Sequence, residues 1–212
     1  MGSWTAGSCT VRRVIDTLRG QGISGTLHRD RRALLKALLG LGLAFGWRSA
    51  SATAEDPKAA RPQTGDRFVF AFGDRAGQTV KADDLPLGGP QQLAYPMDPE
   101  TKIVRDGSLL NQVALIRLDP AQLSADTREY AADGIVGYSA VCTHQGCPVS
   151  MWKADANALF CSCHAAQFDP KDRARVINGP APRRLPMLPV RIADGMLIVA
   201  GGFVGTVGGQ AH

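Results

Sequence analysis

Two short cysteine and histidine motifs constrain this chain more than any other feature of its sequence. The first covers residues 142–147 (CTHQGC) and the second covers residues 161–164 (CSCH). Each motif supplies one cysteine and one histidine within a few residues, and sixteen residues separate His144 from Cys161. Two loops of this kind can hold one metal centre from opposite sides.

The donor types in these motifs favour an iron-sulfur centre. Thiolates suit ferric iron in a sulfide-bridged cluster, and neutral imidazoles on one iron remove negative charge and raise the reduction potential. Gly146 and Pro148 fit a tight loop that brings backbone amides toward the sulfur atoms.

Two other interpretations use the same residues. A zinc site with two cysteines and two histidines is one, although zinc modules usually show two-residue spacings between their cysteines. The other is a pair of structural disulfides with the histidines as bystanders.

Short β-rich segments separated by turn residues make up most of the chain after residue 65. They are 68–72, 78–80, 113–118, 135–138, 159–160, 188–192 and 196–199. The Asp194-Gly195 pair between the last two segments predicts a hairpin. Residues 121–132 allow a turn or two of helix. The pattern predicts an all-β domain with antiparallel connections.

The motifs resemble those of Rieske iron-sulfur proteins of the high-potential, disulfide-containing kind. This resemblance implies a 2Fe-2S cluster, with Cys142, His144, Cys161 and His164 as the candidate ligands, and a disulfide between Cys147 and Cys163. It also implies a Rieske-type antiparallel β sandwich with a small inserted cluster-binding subdomain at about residues 138–183. The Gly- and Pro-rich segment 178–186 would form a third, rigid loop that covers the cluster.

The charge distribution argues against a nucleic-acid partner. Residues 1–54 carry eight of the 24 Lys and Arg but only two of the 19 Asp and Glu. Residues 55–212 carry 16 basic and 17 acidic side chains, so the basic excess lies in the N-terminal segment alone. A surface that follows phosphates would need its excess charge on the folded domain.

The N-terminal segment has the three parts of an export signal. Arg31 and Arg32 precede an apolar stretch at 37–47, and residues 52–54 form a small-x-small cleavage site. The segment resembles a twin-arginine signal, which predicts a periplasmic protein and an oxidising compartment in which a disulfide persists. Retention as a membrane anchor is the alternative, although a spanning helix needs roughly 20 apolar residues and Lys36 interrupts this run.

The predicted organisation therefore has three parts. Residues 1–54 form the signal, in which Met1 is hypothesised not to be the true start. Residues 55–64, rich in Pro and Ala, form a linker, and residues 65–209 form the Rieske domain.

Departures from the family pattern bear on the partner. Ala166 and Phe168 stand where Rieske subunits of cytochrome bc complexes usually carry Ser and Tyr, whose hydroxyls raise the potential, and Gln145 stands where Leu is usual. The predicted potential is therefore below that of the quinol-oxidising subunits, within the range of roughly −150 to +300 mV.

The variant residue Phe168, the export signal and the Gly-rich C-terminal end together resemble features of the small subunit of arsenite-oxidase-type molybdenum enzymes. That resemblance implies a relay from a larger molybdenum subunit to a cytochrome-type acceptor. The alternative is the Rieske subunit of a quinol-cytochrome c reductase, in which His144 or His164 meets the quinol.

No pattern of nucleophile and base indicates a stand-alone catalyst. The basic side chains near the motifs either steer an acidic partner or are ordinary solvated charges. They are Arg173, Arg175, Arg183 and Arg184.

Overall fold

The computed structural model describes residues 56–209, which form a large antiparallel sheet with a smaller sheet inserted into it. The strands are β1 (Arg67–Phe70), β2 (Gln92–Met97), β3 (Val113–Arg117), β4 (Ile135–Ser139), β5 (Met151–Lys153), β6 (Ala158–Cys161), β7 (Ala166–Asp169), β8 (Arg175–Asn178), β9 (Met187–Leu188), β10 (Val190–Ala193) and β11 (Met196–Val199). Helical structure in this part of the chain is limited to α1 (Ala125–Arg128) and 3-10 turns at Ala82–Asp84, Leu109–Asn111 and Pro120–Gln122. The all-β, antiparallel class predicted from the sequence is confirmed.

The large sheet has seven strands in the order β10-β11-β1-β2-β3-β4-β9. Strands β9 and β10 lie at its opposite edges, although only Pro189 separates them in the chain. The two edges therefore meet, and a Cβ on Gly137 of β4 would lie 3.4 Å from Val190 Cγ1 of β10. The prediction of one strand over 188–192 is wrong, because Pro189 has no N–H to donate and divides the segment in two.

The small sheet has the order β5-β6-β7-β8 and enters the chain between β4 and β9. It is the inserted subdomain of the predicted fold, and its strands lie within residues 138–183. The sequence patterns did not predict β2, β5, β7 or β8. Strand β2 contains Pro96, which pairs with Phe68 of β1 at a position that β3 no longer reaches, so the missing N–H breaks no bond to β3.

The predicted hairpin joins β10 to β11. Ala193 pairs with Met196, and the two residues between them have positive φ, +50° at Asp194 and +72° at Gly195. Both values belong to the two-residue hairpin turn whose twist matches that of the flanking strands. The sequence prediction is confirmed here.

One buried apolar cluster connects the two sheets. Ile116 and Tyr138 of the large sheet pack in it with Leu159 and Phe168 of the small sheet. The Tyr138 hydroxyl donates to the carbonyl of Pro170 across 2.8 Å, and burial raises the pKa of this tyrosine above its usual value. The two candidate cysteine ligands belong to the same cluster, so the packing between the sheets fixes where they lie.

The predicted linker is held against the domain over its described part. The Asn111 amide donates to the carbonyl of Ala60 across 2.8 Å, and the Gly107 N–H donates to the carbonyl of Lys58 across 3.0 Å. The predicted signal, residues 1–54, lies outside the described residues. Across residues 56–209 no helix combines the length and the apolar character that a membrane span requires.

Candidate metal centre

The first motif forms a tight loop after β4. The Cys142 N–H donates to the carbonyl of Cys147 across 2.8 Å, and the Gly146 N–H donates to the carbonyl of Cys142 across 3.0 Å. Gly146 has a φ of +77°, a conformation that side chains rarely adopt, which accounts for glycine here. The loop buries Cys142 and leaves His144 partly exposed.

The second motif forms the turn between β6 and β7. Cys161 and Ala166 are the last paired residues of the two strands, so residues 162–165 make the turn. Cys161 is buried at the end of its strand, whereas His164 is exposed at the tip. Each loop therefore presents one buried thiol and one outward imidazole.

The structure places the predicted ligands as one pair of thiols and one pair of imidazoles. Cys142 and Cys161 are both free thiols, each about 1% exposed. The Nδ1 atoms of His144 and His164 face each other across 3.2 Å, and the ring planes are nearly perpendicular, at 87°. Two thiols on the inside and two imidazoles on the outside fit a centre with sulfur donors at one metal and nitrogen donors at the other.

A disulfide between Cys147 and Cys163 joins the two loops. The sulfur atoms of these two residues and of Cys161 lie within 4.8 Å of one another. Because the disulfide uses two of those three sulfurs, Cys161 is the one that can bind a metal as a thiolate. The disulfide is the one implied by the family resemblance.

The surroundings of the Cys142 thiol act on its pKa in opposite directions. Burial raises the pKa to about 11, and hydrogen bonding by the backbone of His144 and Gln145 lowers it. The Cys161 thiol, a close neighbour, also raises the pKa. Burial therefore disfavours the bare thiolate, which a bound metal cation would stabilise.

The Gly- and Pro-rich third loop packs against both motif loops. The Thr143 hydroxyl donates to the carbonyl of Arg183 across 2.6 Å. Gly179 lies so close to the second loop that a Cβ there would meet Ala166 Cα at 2.6 Å. Sequence reasoning overlooked Thr143, whose only signal was its position between two candidate ligands.

The structure also shows which side chains near the second loop lack hydroxyls. Ala166 and Phe168, at the start and in the middle of β7, are fully buried. Gln145 of the first loop is exposed. Positions 166 and 168 of β7 therefore place no hydroxyl donor near the second loop.

Most of the arginines that could steer an acidic protein partner already make contacts within the domain. Arg175 forms ion pairs with Asp169 and Asp172, and the Arg173 guanidinium lies 4.8 Å from the ring centre of Tyr130. Arg183 binds backbone carbonyls near the C-terminal end. Arg184 is exposed, and within residues 56–209 it is the one of the four without such a partner.

Comparisons with known proteins agree with this geometry. The Rieske [2Fe-2S] domain family matches residues 81–189, more than half of the chain. The cytochrome bc1 complex Rieske iron-sulfur subunit of Streptomyces lividans is 37% identical over 139 residues, which cover 62% of this chain and 79% of that protein. The corresponding subunit of Streptomyces coelicolor is also 37% identical, but this chain spans only 38% of its length.

A third relative belongs to another kind of complex. The putative respiratory nitrate reductase subunit Rieske of Haloferax mediterranei is 39% identical over 148 residues, which cover 69% of this chain and 63% of that protein. The relatives thus differ in the complexes for which they are named and agree in the Rieske domain. The chain belongs to the Rieske [2Fe-2S] domain family, and its cofactor is the two-iron, two-sulfur cluster of that family.

Proposed function

We propose that this chain is an exported electron-transfer subunit whose larger partner is a quinol-oxidising complex of the cytochrome bc type. The cluster ligands in this proposal are Cys142, His144, Cys161 and His164. The observation that carries it is the meeting of two buried thiols and two facing Nδ1 atoms on loops joined by a disulfide. The choice of partner is supported by the similarity to the Streptomyces lividans subunit over 79% of its length.

The residues of the site have separate tasks in this role. A Rieske cluster, when bound, accepts and returns one electron at a time. The buried thiols, which belong to the apolar cluster between the sheets, would hold it, while the outer imidazoles would remain accessible to a partner. The exposed His164 is where a quinol hydroxyl can approach and give up its proton.

The proposed location is outside the cytoplasm, reached by the twin-arginine route. The disulfide between Cys147 and Cys163 supports it, because such bonds persist in oxidising compartments and are rare in the cytosol. The export signal predicted in residues 1–54 supports it independently. If that segment is retained, it anchors the chain to the membrane.

A second candidate function is the small subunit of an arsenite-oxidase-type molybdenum enzyme that passes electrons to a cytochrome. The observation that favours it is the pair of buried apolar side chains Ala166 and Phe168 in place of hydroxyl donors. Fewer donors to the sulfur atoms destabilise the reduced, more negative centre and lower the potential. A low potential suits a relay better than it suits quinol oxidation.

The test is an EPR-monitored redox titration of the full chain with the cluster incorporated, together with reduction by an added quinol. A potential in the upper half of the range from roughly −150 to +300 mV, with rapid reduction by quinol, supports the cytochrome bc role. A potential in the lower half, without reduction by quinol, favours the molybdenum-enzyme role.

Substitution of the candidate cysteine ligands tests the ligand assignment. Cys142→Ser and Cys161→Ser should each abolish the reduced-state EPR signal, whereas Cys9→Ser, outside both motifs, should leave it intact. Tightly bound zinc in place of iron, with no EPR signal from the unchanged chain, would overturn the cluster assignment itself.

A further inference from the structure

The C-terminal strap, residues 204–209, runs from the large sheet to the first motif loop. At its start Val204 pairs with Met187 of β9 through two hydrogen bonds, of 2.7 Å and 3.2 Å. At its end Gly209 lies so close to the first loop that a Cβ there would meet the Gly146 nitrogen at 2.6 Å. The strap thus connects the edge of the large sheet with the loop that carries Cys142.

Arg183 holds this strap with its side chain. One guanidinium nitrogen, Nη2, donates to the carbonyl of Gly208 across 2.6 Å and to that of Thr206 across 3.2 Å. The carbonyl of the same residue accepts the hydroxyl of Thr143 across 2.6 Å. A single residue of the third loop therefore ties the strap on one side and the first motif loop on the other.

The segment under the strap belongs to the tight turn that carries Cys142. Gly209 packs on the backbone of Gln145 and Gly146. The N–H of Gly146 donates to the carbonyl of Cys142 across 3.0 Å, and the N–H of Cys142 donates to the carbonyl of Cys147 across 2.8 Å. Loosening of this segment would therefore release the turn that holds a sulfur ligand.

We infer that Arg183 is a positioning residue that clamps the C-terminal strap onto the first motif loop, fixes the turn between Cys142 and Cys147, and so sets the potential and the retention of the cluster. The inference rests on the proposed ligand role of Cys142. Backbone N–H groups of a turn that carries a ligand sulfur stabilise the more negative reduced state. Release of the strap should therefore lower the potential and let the cluster escape faster.

The test variants must separate the effect of the positive charge of Arg183 from the effect of its hydrogen bonds to the strap. Arg183→Lys keeps the positive charge but offers a compact ammonium instead of a planar group that reaches two carbonyls. Gly209→Ala leaves all charges in place and pushes the strap off the loop, because its Cβ would overlap backbone atoms of Gln145 and Gly146. Gly202→Ala is the matched control, since a Cβ there meets nothing within 4 Å.

Three measurements on the full chain test the clamp. They are the midpoint potential by EPR-monitored titration, the rate of cluster loss to a chelator, and hydrogen-deuterium exchange of peptides spanning 143–147 in the metal-free protein. Arg183→Lys and Gly209→Ala should each lower the potential, speed cluster loss several-fold and speed exchange in those peptides. Gly202→Ala should match the unchanged chain in all three.

The variant that combines Arg183→Lys with Gly209→Ala tests whether both substitutions act by releasing the strap. Because both substitutions release the same strap, the total effect of combining Arg183→Lys with Gly209→Ala should be close to that of either substitution alone and well below the sum of the two. Additive effects, or unchanged potential and exchange in Arg183→Lys, would overturn the inference. If the unchanged chain shows no Rieske signal, the cluster assignment fails instead, and the exchange rates of the metal-free variants still decide whether the clamp exists.

Discussion

Gly179 shows how a single residue lets the third loop approach the second motif loop. Its φ is +89°, and a Cβ there would lie 2.6 Å from Ala166 Cα and 2.9 Å from Ala166 N. Gly179→Ala therefore combines backbone strain with overlap against a β-strand that cannot easily move. We expect a loss of about 2–4 kcal/mol in the free energy of unfolding, measured by urea denaturation.

Gly195→Ala is the control for that substitution. Gly195 also has a positive φ, +72°, but a Cβ there meets nothing within 4 Å. Strain alone should cost about 1–2 kcal/mol. Equal losses in the two variants would show that the close approach to Ala166 contributes nothing.

The midpoint potential of the cluster should depend on the side chains at positions 166 and 168. Ala166→Ser combined with Phe168→Tyr restores the hydroxyls that the resemblance associates with a high potential. If each hydroxyl stabilises the reduced centre by about 1–2 kcal/mol, each should raise the midpoint by about 40–90 mV for a one-electron couple. EPR-monitored titration measures the shift.

A hydroxyl added elsewhere in the domain should leave the potential alone. Phe70→Tyr provides that comparison, because Phe70 packs in the buried cluster of the large sheet that does not contain the cysteines. An equal rise in both variants would mean that the hydroxyls act through stability or solvation and not at the site.

Residue identities at the site could be predicted from the sequence to different degrees. Donor type and spacing predict a metal centre at the two motifs, and the family resemblance implies which cysteine of each motif is the ligand. The role of Arg183 does not, because its partners Thr206 and Gly208 lie more than 20 residues further along the chain and contribute only carbonyls. Because every residue has a backbone carbonyl, the sequence does not show which ones accept hydrogen bonds from Arg183. From the sequence, Arg183 could be considered only as a free charge.

At the scale of elements, the disulfide fixes one motif loop to the other. Cys147 and Cys163 are 16 residues apart, and closing a loop of about this length stabilises a folded chain by about 3 kcal/mol in the chain-entropy description. We expect the variant with both cysteines replaced by Ala to lose about 2–4 kcal/mol in metal-free urea unfolding.

Reduction of the unchanged chain is the internal control for the disulfide. A thiol reductant should bring its stability down to that of the double variant, and the variant itself should not respond. A further drop in the variant would point to another reducible group as the source of the effect.

Three of the four strands that sequence patterns missed share a physical cause. Strands β5, β7 and β8 are short and none of them has two consecutive buried residues, so they lack the buried apolar run that marks β1 and β11. Their pairing is decided by the hairpin connections and by packing on the large sheet. The strands of the large sheet were easier to predict, since runs such as Val113–Arg117 are buried along most of their length.

At the scale of the whole molecule, a buried ion pair joins the residue before β1 to the segment between β2 and β3. The Arg105 side chain donates twice to the Asp66 carboxylate, at 2.6 Å and 3.0 Å, and Asp66 is only 2% exposed. Arg105→Met would leave that carboxylate buried without its counter-ion. We expect a loss of about 3–5 kcal/mol in unfolding free energy.

Two comparisons check that prediction. Asp66→Asn combined with Arg105→Met should cost less than Arg105→Met alone, because no buried charge is left unpaired. Lys58→Met removes the exposed pair between Lys58 and Asp106, whose atoms are 3.5 Å apart, and should cost about 0–1 kcal/mol. A similar cost for Lys58→Met and Arg105→Met would show that burial does not matter here.

The shared core between the two sheets predicts that the domain unfolds in one step. Ile116 and Tyr138 pack with Leu159 and Phe168, so opening the small sheet would expose one wall of the large one. Trp152 of β5 also lies against Gly89, whose added Cβ would meet the indole at 3.0 Å, and so it reports on contact between the sheets. A small sheet of short strands has too little apolar surface to remain folded by itself.

The test uses Trp152 as the single tryptophan, after Trp4→Phe and Trp47→Phe. Urea transitions followed by tryptophan fluorescence and by far-ultraviolet circular dichroism should coincide, as in a two-state domain. A fluorescence transition at lower urea than the dichroism transition would mean that the small sheet opens while the large sheet stays folded. In that case the cluster loops would be held by local contacts such as the disulfide and the strap, and not by the core that both sheets share.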